Sequence, residues 1–442
     1  MYKFTKNISE DLLYHSRQPD KSPHRWTNLT INVKICPCLN TKIEKSGVFM
    51  IYRNMKPELI NMAKKMPVIG ILGPRQSGKT TLAQEVFKKH KYVSLEDANT
   101  QLLAKSDQYT FFDNLHNEHG IIIDEIQNVP ELLSYIQVYS DKHGKDGYFV
   151  ITGSQNILVN KAITQSLAGR IAIFTLLPLS VNELRKEKLI SNSVNELIYK
   201  GQYPRIYDKH LDSKKFYPNY INTYVERDVR SLRNIENLSL FKTFIGLCAG
   251  RIGQILNITS LADDCGISVI TANSWLSILE ASYIIFLLQP YYKNFGKRLI
   301  KSPKIYFYDT GLACSILKIT SEEQLHTHYL RGGLFENLIL SDIKKQFYNI
   351  SLPPPMYFWR DKSKNEIDCI LEQANNLIPI EIKASKMMAK NHFDKIRYLY
   401  DLSESKENNG IVVYAGDQNY KLKHGQILSW SSADQIIKKF KL

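Results

Sequence analysis

Gly73-Pro74-Arg75-Gln76-Ser77-Gly78-Lys79-Thr80 spells an unbroken G-x-x-x-x-G-K-T, and Thr81 follows it. An apolar run, Val68 to Leu72, precedes this stretch, and a segment with helical character, Leu82 to Lys88, comes after it. The glycines let the backbone turn so that successive N–H groups point into one anion-sized hollow, and the positive end of the following helix points there too. The pattern therefore predicts a phosphate-binding loop in which Lys79 reaches the β- and γ-phosphates and Thr80 holds Mg2+.

A second strand that ends in acids follows the loop, as a phosphate-binding domain of this kind requires. Gly120-Ile121-Ile122-Ile123-Asp124-Glu125 begins with small and apolar residues, which is typical of a buried parallel strand. We expect Asp124 to sit beside the Mg2+ and Glu125 to polarise the attacking water. The alternative for this segment, taken alone, is a buried strand that ends in solvated acids.

Two further residues are candidates for contact with the γ-phosphate. The run Tyr148 to Thr152 leads into Gly153 and Ser154, so the Ser154 hydroxyl is expected near the γ-phosphate as a sensor, or only as the cap of the next helix. Arg170 is a candidate arginine finger, within the chain or across a subunit boundary, and a surface arginine is the alternative. Sequence spacing does not show where its guanidinium points.

These motifs together resemble those of a known family, the prokaryotic AAA-type ATP-binding proteins that carry a C-terminal domain of unknown function. The segments that carry the likeness are Gly73 to Thr81, Ile123 to Gln127, Thr152 to Ser154 and Leu167 to Arg170. It extends from about Met50 to the C-terminus, and the segments that also fit are Gly201 to Pro204, Tyr224 to Val229 and Ser302 to Leu312. The resemblance implies ATP as the bound nucleotide, whereas the loop alone would allow GTP.

Length and charge set limits on the class of protein. A chain of 442 residues is too long for one typical core and predicts two or three domains. Its 58 Lys and Arg residues exceed its 43 Asp and Glu residues, which gives a net charge of +15. Such an excess favours a polyanionic partner such as nucleic acid, although a basic soluble protein without one fits equally well.

Cysteine usage and hydropathy predict the compartment. Only Cys36 and Cys38 of the six cysteines are close in sequence, so free thiols in a reducing cytosol are favoured over a zinc site. No uninterrupted apolar stretch reaches the roughly 18 to 20 residues of a membrane helix, and the N-terminus lacks a signal peptide's apolar core. We therefore expect a soluble cytoplasmic protein without a membrane partner.

The middle of the chain has the pattern of a winged helix. The sequence predicts a helix over Ser260 to Cys265, a turn at Gly266 and a second helix over Val269 to Leu279. Tyr283 to Leu288 is the expected strand of the wing. The second helix contains no Lys or Arg, which favours a packing or protein-contact role over DNA reading. A better nucleic-acid candidate, or else a solvated loop, is the basic and aromatic segment that follows, comprising Tyr291, Tyr292, Lys293, Phe295, Lys297, Arg298, Lys301 and Lys304.

A second candidate site lies on a hairpin near the C-terminus. Asn365 to Leu371 and Leu377 to Lys383 have strand character, and turn residues separate them. A hairpin that pivots at Ala374-Asn375 puts Asp368 opposite Glu381, and one that pivots at Asn375-Asn376 puts it opposite Lys383. In either register Asp368, Glu381 and Lys383 share one face, and Ile367, Ile380 and Ile382 are expected to bury the other.

This hairpin and an upstream helix are similar to the PD-(D/E)xK nuclease core. Two carboxylates and a lysine on one face would bind a divalent metal and steady a phosphate or a nucleophilic water. Glu336, on a predicted helix from Leu334 to Gln346, is expected to add a third carboxylate to Asp368 and Glu381. The interpretations left open are an active nuclease, a relative that binds without cutting, and a chance pattern.

The sequence thus predicts an α/β protein with an AAA-type parallel sheet at its centre. The expected layout is a flexible N-terminal extension (1–49), a P-loop ATPase domain (50–178), a helical lid or linker (179–254), a winged-helix-like domain (255–312) and a nuclease-like domain (313–442). Met50 is an alternative start of the protein. The expected function is ATP binding and hydrolysis by an AAA-type protein whose nuclease-like C-terminal domain is directed at nucleic acid. ATP and Mg2+ are the expected cofactors, and nucleic acid and further copies of the chain are the candidate partners. The alternative is a nucleotide-dependent switch that recognises a protein or nucleic acid without cutting.

Overall fold

The computed structural model describes residues 50–154, 166–191, 193–224, 235, 237–291, 301–373, 376–387, 389, 391–404, 407, 409–423 and 425–440. Several predicted features lie outside these ranges. They are the N-terminal extension, the motif residues 225–229, most of the basic aromatic segment (292–300) and the hairpin turn at 374–375.

The phosphate-loop sequence belongs to a parallel sheet. Its strands are β1 (Val68–Gly73), β2 (Lys91–Ser94), β3 (Ile121–Asp124), β4 (Phe149–Ser154) and β5 (Ile171–Thr175). They are arranged in the order β2-β3-β4-β1-β5, and each pairing is parallel. Since β4 lies between β1 and β3, the carboxyl ends of these three strands meet at one edge. The phosphate loop, Asp124 and Ser154 all follow or end those strands, so the topology brings them together.

Helices cover both faces of this sheet and explain the continuous apolar runs in its strands. They are α1 (Lys56–Met62), α2 (Lys79–Val86), α3 (Ala98–Ser106), α4 (Gln108–Leu115) and α5 (Leu132–His143). Side chains of α1 and α2 pack with Ile69 and Ile71 on one face. Side chains of α3, α4 and α5 pack with Val68 and Leu72 on the other face. Burial on both sides explains why β1 consists of apolar residues and glycine and why β3 is apolar up to Asp124 at its end.

A helical region follows the sheet. Its described helices are α6 (Val181–Lys186), α7 (Val194–Lys200), α8 (Pro204–Asp208), α9 (Ser213–Tyr224), α10 (Leu238–Ala249), α11 (Ile258–Cys265), α12 (Val269–Ala281) and α13 (Thr310–Ile316). The predicted helix–turn–helix is present as α11 and α12, and Gly266 between them has a left-handed φ of 71°. The strands β6 (Ile285–Leu288) and β7 (Lys304–Phe307) form the antiparallel pair of the expected wing.

Two segments that fit the family resemblance meet around one buried carboxylate in this region. Asp309 Oδ2 accepts a hydrogen bond from Gln202 N at 2.7 Å. Its Oδ1 accepts from Tyr217 Oη at 2.7 Å and from Leu312 N at 2.9 Å. Lys345, which lies on the long helix described next, donates to Gln202 Oε1 at 2.6 Å. Hydrogen bonds therefore connect Asp309, through Gln202, to that helix.

The C-terminal part of the chain is a mixed sheet between helices. Its strands are β8 (Met356–Arg360), β9 (Glu366–Gln373), β10 (Asn376–Lys383), β11 (Ile411–Tyr414), β12 (Tyr420–Leu422) and β13 (Gly425–Ser429), in the order β12-β13-β11-β10-β9-β8. The accompanying helices are α14 (Arg331–Asn349), α15 (Asp394–Ser403) and α16 (Gln435–Lys439). The α14 side shares a core with Ile380 and Ile382, and the α15 side shares another with Ile367 and Ile370.

A β-bulge interrupts the pairing of β8 with β9. Tyr357 pairs with Ile370 and Trp359 with Ile367, so Asp368 and Cys369 together face the single residue between the pairs on β8. The extra residue shifts the side-chain alternation of β9 by one position. The expectation that Ile367 buries the same face as Ile380 and Ile382 is therefore wrong, because Ile367 packs with Trp359 and Ile370 on the α15 side.

One hydrophobic core extends through the helical region, the winged helix and the C-terminal sheet. Apart from Ile51, its buried members lie between Leu177, just after β5, and Ile436 in α16, and they include Trp275 of α12 and Leu338 of α14. The sheet with the phosphate loop has its own two cores. Among the described residues, no helix is both long enough and apolar enough to cross a membrane.

Candidate functional site

The phosphate loop is a tight turn between β1 and α2. Gly73 ends the strand where a β-carbon would stand 2.2 Å from the Leu176 carbonyl oxygen, so only glycine fits there. Gly78 caps the helix with φ of 92°, a conformation that side-chain-bearing residues rarely adopt. The two glycines thus meet two different needs: close approach of a neighbouring strand at Gly73 and a left-handed turn at Gly78.

Lys79 is folded back into this loop. Its ammonium donates to the Gly73 carbonyl at 3.1 Å and to the Pro74 carbonyl at 2.8 Å, and its side chain is buried. The Ser77 hydroxyl is also buried and has no hydrogen-bond partner within the described structure. A buried cation and an orphaned hydroxyl beside a helix N-terminus are the donor set that phosphate oxygens require.

Asp124 meets Thr80 at the edge of the sheet. Thr80 Oγ1 donates to both Asp124 carboxylate oxygens, at 3.0 Å each. Tyr92 Oη donates to Asp124 Oδ2 at 2.9 Å, and Thr152 Oγ1 donates to Oδ1. Burial, helped by the Asp124 charge, raises the pKa of Tyr92 to about 12. A threonine hydroxyl and a carboxylate are hard oxygen donors, so this pair fits Mg2+.

A glutamine that sequence reasoning left without a role joins the other two predicted residues. Gln127 Nε2 donates to Glu125 Oε2 and, at 3.1 Å, to Ser154 Oγ. A β-carbon on Gly153 would stand 2.5 Å from Gln127 Oε1, so the absence of a side chain there makes room for the amide. Ser154 pairs with Gly73 in the β1–β4 register and therefore lies beside the phosphate loop.

Arg170 is not brought to this site within its own chain. Its backbone carbonyl accepts from Val68 N, at the beginning of β1, whereas the phosphate loop follows the end of that strand. The guanidinium donates instead to Asp141 Oδ2 at 2.9 Å and to the Ala168 carbonyl at 3.1 Å. The within-chain alternative for the finger is thus wrong, because a strand's length separates Arg170 from the loop. A role across a subunit boundary stays a prediction.

The C-terminal hairpin has the first of its two predicted registers. Asn376 pairs with Gln373 and Ile380 with Cys369, which corresponds to a pivot at 374–375. Continuing that register puts Asp368 opposite Glu381. Asp368 Oδ2 accepts from the backbone N–H of Ile382 at 2.7 Å.

Glu381 is the most buried acid of this hairpin. Its side chain is fully inaccessible; Lys383 Nζ donates to Oε2 at 2.5 Å, and Lys395 Nζ lies 3.6 Å from the same oxygen. Its Oε1 has no hydrogen-bond partner within the described structure. Burial, together with the nearby charge of Asp368, raises the pKa of Glu381 to about 7.

Glu336 on α14 reaches the same neighbourhood but is held by two other groups. Lys304 Nζ donates to Glu336 Oε1 at 3.2 Å and to Glu366 Oε1 at 2.7 Å, and Tyr306 Oη also donates to Glu336 Oε1. Burial and the charge of Asp368 raise the pKa of Glu336 to about 7. The acids and lysines described here, Lys304, Glu336, Glu366, Asp368, Glu381 and Lys383, are called the carboxylate cluster below.

The cluster corrects two predictions. Lys304 is only 2% exposed, so it is not part of a basic surface, and Tyr291 is also buried, with its hydroxyl donating to Glu372 Oε1 at 3.1 Å.

Within the described ranges, no group of three or more His, Cys, Asp or Glu residues is placed to hold a metal ion. The predicted metal set of Glu336, Asp368 and Glu381 does not fit a metal as arranged, because Lys304 and Lys383 already bind two of its carboxylates.

The four cysteines in the described residues, Cys248, Cys265, Cys314 and Cys369, are free and buried. Burial raises the pKa of each thiol. A buried thiol with a raised pKa is a poor nucleophile, so these cysteines have a packing role.

Three parts of the chain match known family models. Residues 65–185 match the family model described as AAA domain. Residues 191–323 match a domain of unknown function (DUF8612), and residues 331–433 match another domain of unknown function (DUF4143). An uncharacterized protein of Mycobacterium tuberculosis is 27% identical over 396 residues, covering 87% of this chain and 86% of its own length. An uncharacterized protein of Methanocaldococcus jannaschii is 24% identical over 411 residues, with coverages of 85% and 83%.

Two solved structures are similar to part of the chain. The Walker-type ATPase of Pyrococcus abyssi has a TM-score of 0.40 and 15% identity, and covers 60% of this chain and 96% of its own. The Holliday junction branch migration motor RuvB of Thermotoga maritima has a TM-score of 0.29 and 17% identity, with coverages of 53% and 89%. At these TM-scores the likeness carries no argument. The strand order, the loop after β1 and the AAA-domain match make residues 65–185 a P-loop domain of the AAA type whose geometry supports nucleotide binding.

Proposed function

We propose that this protein binds and hydrolyses ATP and that its C-terminal domain acts on nucleic acid. The observation that carries the first part is the convergence of the phosphate loop with Asp124, through Thr80 Oγ1 at 3.0 Å from both carboxylate oxygens. The loop supplies a place for phosphates, and Asp124 with Thr80 supplies one for their cation.

The residues around the loop have separable tasks in hydrolysis. Lys79 exchanges the carbonyls of Gly73 and Pro74 for oxygens of the β- and γ-phosphates. Thr80 and Asp124 would hold Mg2+, which would neutralise charge that develops on the phosphates. Glu125 polarises the attacking water by accepting a hydrogen bond from it. Gln127 donates to both Glu125 and Ser154, and Ser154 is the proposed sensor of the loss of the γ-phosphate.

Replacement of the loop lysine tests nucleotide binding. Lys79→Ala removes the cation for the phosphates, so we expect loss of ATP binding and of ATP turnover. The measurements are titration with a fluorescent ATP analogue and phosphate release by the full chain. Lys88→Ala, after the end of α2, is the matched control, since that exposed lysine has no part in the loop. Undiminished binding by Lys79→Ala would refute the assignment.

The second part of the proposal rests on Glu381 Oε1, a buried carboxylate oxygen without a partner beside Asp368 and Lys383. The net charge of the whole chain, +15, favours a polyanionic partner. Cleavage is tested with branched and single-stranded DNA and RNA in Mg2+ or Mn2+, using the full chain. Cleavage that is lost in Asp368→Ala supports a nuclease, and cleavage that persists in this variant removes Asp368 from the mechanism.

A non-cleaving switch is the second candidate function. The pairs of Lys304 with Glu336 and of Lys383 with Glu381 favour it, because they neutralise the acids that a cutting site would offer to a metal. In that case ATP changes the affinity for nucleic acid or protein, and no product of cleavage appears. Binding of labelled DNA and RNA with and without ATP separates the two functions.

A further inference from the structure

Arg53 lies before the residues that match the AAA domain, yet its guanidinium contacts the phosphate loop. Nη1 donates to the Ser77 carbonyl at 2.7 Å, and Nη2 donates to the Leu177 carbonyl at 2.6 Å. Nε donates to Glu183 Oε1 at 3.1 Å. The side chain is buried, and three separate parts of the chain hold its rigid planar fork in one orientation.

The contact with Ser77 bears directly on the phosphate site. In a trans peptide the C=O of one residue and the N–H of the next point in opposite directions. A donor that holds the Ser77 carbonyl therefore directs the N–H of Gly78 to the opposite side. A β-carbon on Gly78 would come within 3.7 Å of Arg53 Nη1, so the guanidinium lies against this turn of the loop.

Glu183 is the partner that ties Arg53 to α6. Besides Arg53, Glu183 Oε1 accepts from Asn54 N at 2.8 Å. Its Oε2 accepts from Ser180 N at 2.8 Å and from Ser180 Oγ at 3.0 Å, which completes a capping box at the start of α6. Glu183 is fully buried, so removing either member of the ion pair leaves a buried charge without compensation.

The same helix start contacts the helix that carries Glu336. Val181 N, the first N–H of α6, donates to Asp342 Oδ1 at 2.6 Å, and Gln346 Nε2 donates to Oδ2 at 2.5 Å. Asp342 lies six residues after Glu336 on α14, or about 9 Å along the helix axis. Hydrogen bonds thus run without a break from the phosphate loop through Arg53, Glu183 and α6 to α14.

We propose that Arg53 is a positioning residue of the nucleotide site, which sets the Ser77–Gly78 peptide and couples nucleotide binding through α6 to α14 and the carboxylate cluster. This inference rests on the proposed ATP function. Phosphates that bind the loop N–H groups immobilise the same peptide that Arg53 holds. The coupling is reciprocal. If ATP changes the affinity of the carboxylate cluster for a ligand by some factor, that ligand changes the affinity for ATP by the same factor.

Hydrogen exchange of the full chain, with and without a non-hydrolysable ATP analogue and Mg2+, tests the coupling. In the wild type we expect the analogue to slow exchange in α6 and in α14 around Asp342. Arg53→Lys keeps the charge but cannot make the three contacts; we expect about tenfold weaker binding, as for one lost charged hydrogen bond. At saturating analogue, the α14 response should be lost in Arg53→Lys and in Glu183→Gln. The matched control is Arg185→Lys on the same helix, because the Arg185 guanidinium pairs with Asp434, away from the loop. This variant should retain both analogue binding and the slowed exchange in α14.

The outcomes separate this inference from the function on which it rests. A wild-type chain that does not bind the analogue overturns both. If the wild type binds the analogue and hydrogen exchange in α14 does not change, only the inference is overturned. This outcome does not depend on whether any variant folds. Arg53→Lys that binds as tightly as the wild type and retains the α14 response also overturns it.

Discussion

Asp342 is a single side chain whose ionisation opposes folding. It is fully buried, and its carboxylate is surrounded by the Val181 N–H, Gln346, the ammonium of Lys345 and the more distant Asp434. Burial raises its pKa from the ordinary 3.8 to about 6. Burial also lowers the pKa of Lys345 to about 8, so that lysine stays protonated in the range where Asp342 titrates.

The first prediction concerns the pH dependence of stability. Between pH 3.8 and about 6 the folded chain retains an Asp342 proton that the unfolded chain has released, so the stability that this group contributes is lost as pH rises through about 6. Asp342→Asn cannot titrate. We expect the unfolding free energy of the wild type, minus that of Asp342→Asn, to fall by about 2 kcal/mol between pH 4 and pH 7. Urea unfolding of both chains at several pH values measures this difference in unfolding free energy. A difference that does not change with pH would contradict the prediction.

The predicted site residues that the structure brings together are those whose positions follow from local rules. Lys79, Thr80 and Asp124 lie at the ends of parallel strands or at a helix start, and apolar runs with glycine turns reveal such places in a sequence. Tyr92 and Arg53 have no such signal, because they reach the site from other elements over separations that only the packed structure defines. A lone arginine that is buried cannot be told from a surface arginine by its sequence. Gln127 lies in the quoted segment Ile123 to Gln127, but nothing in that segment shows that its amide contacts Glu125 and Ser154.

At the scale of elements, α14 is the helix on which the C-terminal half is assembled. It was expected from Leu334 to Gln346 and extends over Arg331–Asn349, with buried residues on all of its sides. Asn337, fully buried on this helix, donates Nδ2 to the Phe307 carbonyl at 2.8 Å, and its Oδ1 accepts from Phe307 N at 2.6 Å. On the edge of β7 away from β6, residues 253–255 bond to Lys304 and Ile305, and the Asn337 side-chain amide takes the place of a strand at Phe307.

The second prediction tests this substitute for a strand. Asn337→Leu has a similar volume but leaves the Phe307 N–H and carbonyl buried without partners. We expect the unfolding free energy to fall by about 3 kcal/mol, since each orphaned backbone group costs about 1 to 3 kcal/mol. Asn273→Leu is the matched control, because the side-chain amide of that exposed asparagine on α12 donates to the Val269 carbonyl within its own helix. Equal losses in the two variants would show that the β7 edge contributes nothing.

The hairpin shows where prediction from an element's pattern reaches its limit. Turn residues between two strand-like segments were enough to predict that Asp368, Glu381 and Lys383 lie together. Ile367 was assigned to the wrong side, because a bulge leaves no mark in the alternation of apolar residues until the partner strand is known. Lys304 was counted as a surface cation for a similar reason: the acids that bury it, Glu336 and Glu366, lie 32 and 62 residues away.

At the scale of the whole molecule, the shared core is the feature with the widest consequences. Trp275 of the winged helix and Trp430 near the C-terminus belong to the same hydrophobic cluster. A hinge between separately folded parts would need two cores with few contacts between them. We therefore expect the region from the lid to the C-terminal sheet to respond to nucleotide as one body.

The third prediction follows from this shared core. Two variants of the chain are compared, one that retains only Trp275 and one that retains only Trp430. In each variant phenylalanine replaces the other three of the four tryptophans. Residues in one core lose their packing in the same cooperative event, so fluorescence of the two chains should give coincident urea transitions. Separate midpoints, outside the shift caused by the substitutions themselves, would show that the winged helix and the C-terminal sheet unfold independently.

The bulge of β9 makes the carboxylate cluster depend on the length of the strand as well as on its composition. Point mutations at Asp368 would remove one acid and leave the frame of the strand intact. Loss of the codon at position 369 would restore regular pairing with β8 and keep the pairs Tyr357–Ile370 and Trp359–Ile367. Asp368 would then lie opposite Phe358 and Ile380, whose side chains belong to the core on the α14 side. Because directly paired residues point to the same face of a sheet, the Asp368 side chain would point into that core. The length of this segment is therefore a marker of a retained cluster, alongside the presence of the aspartate.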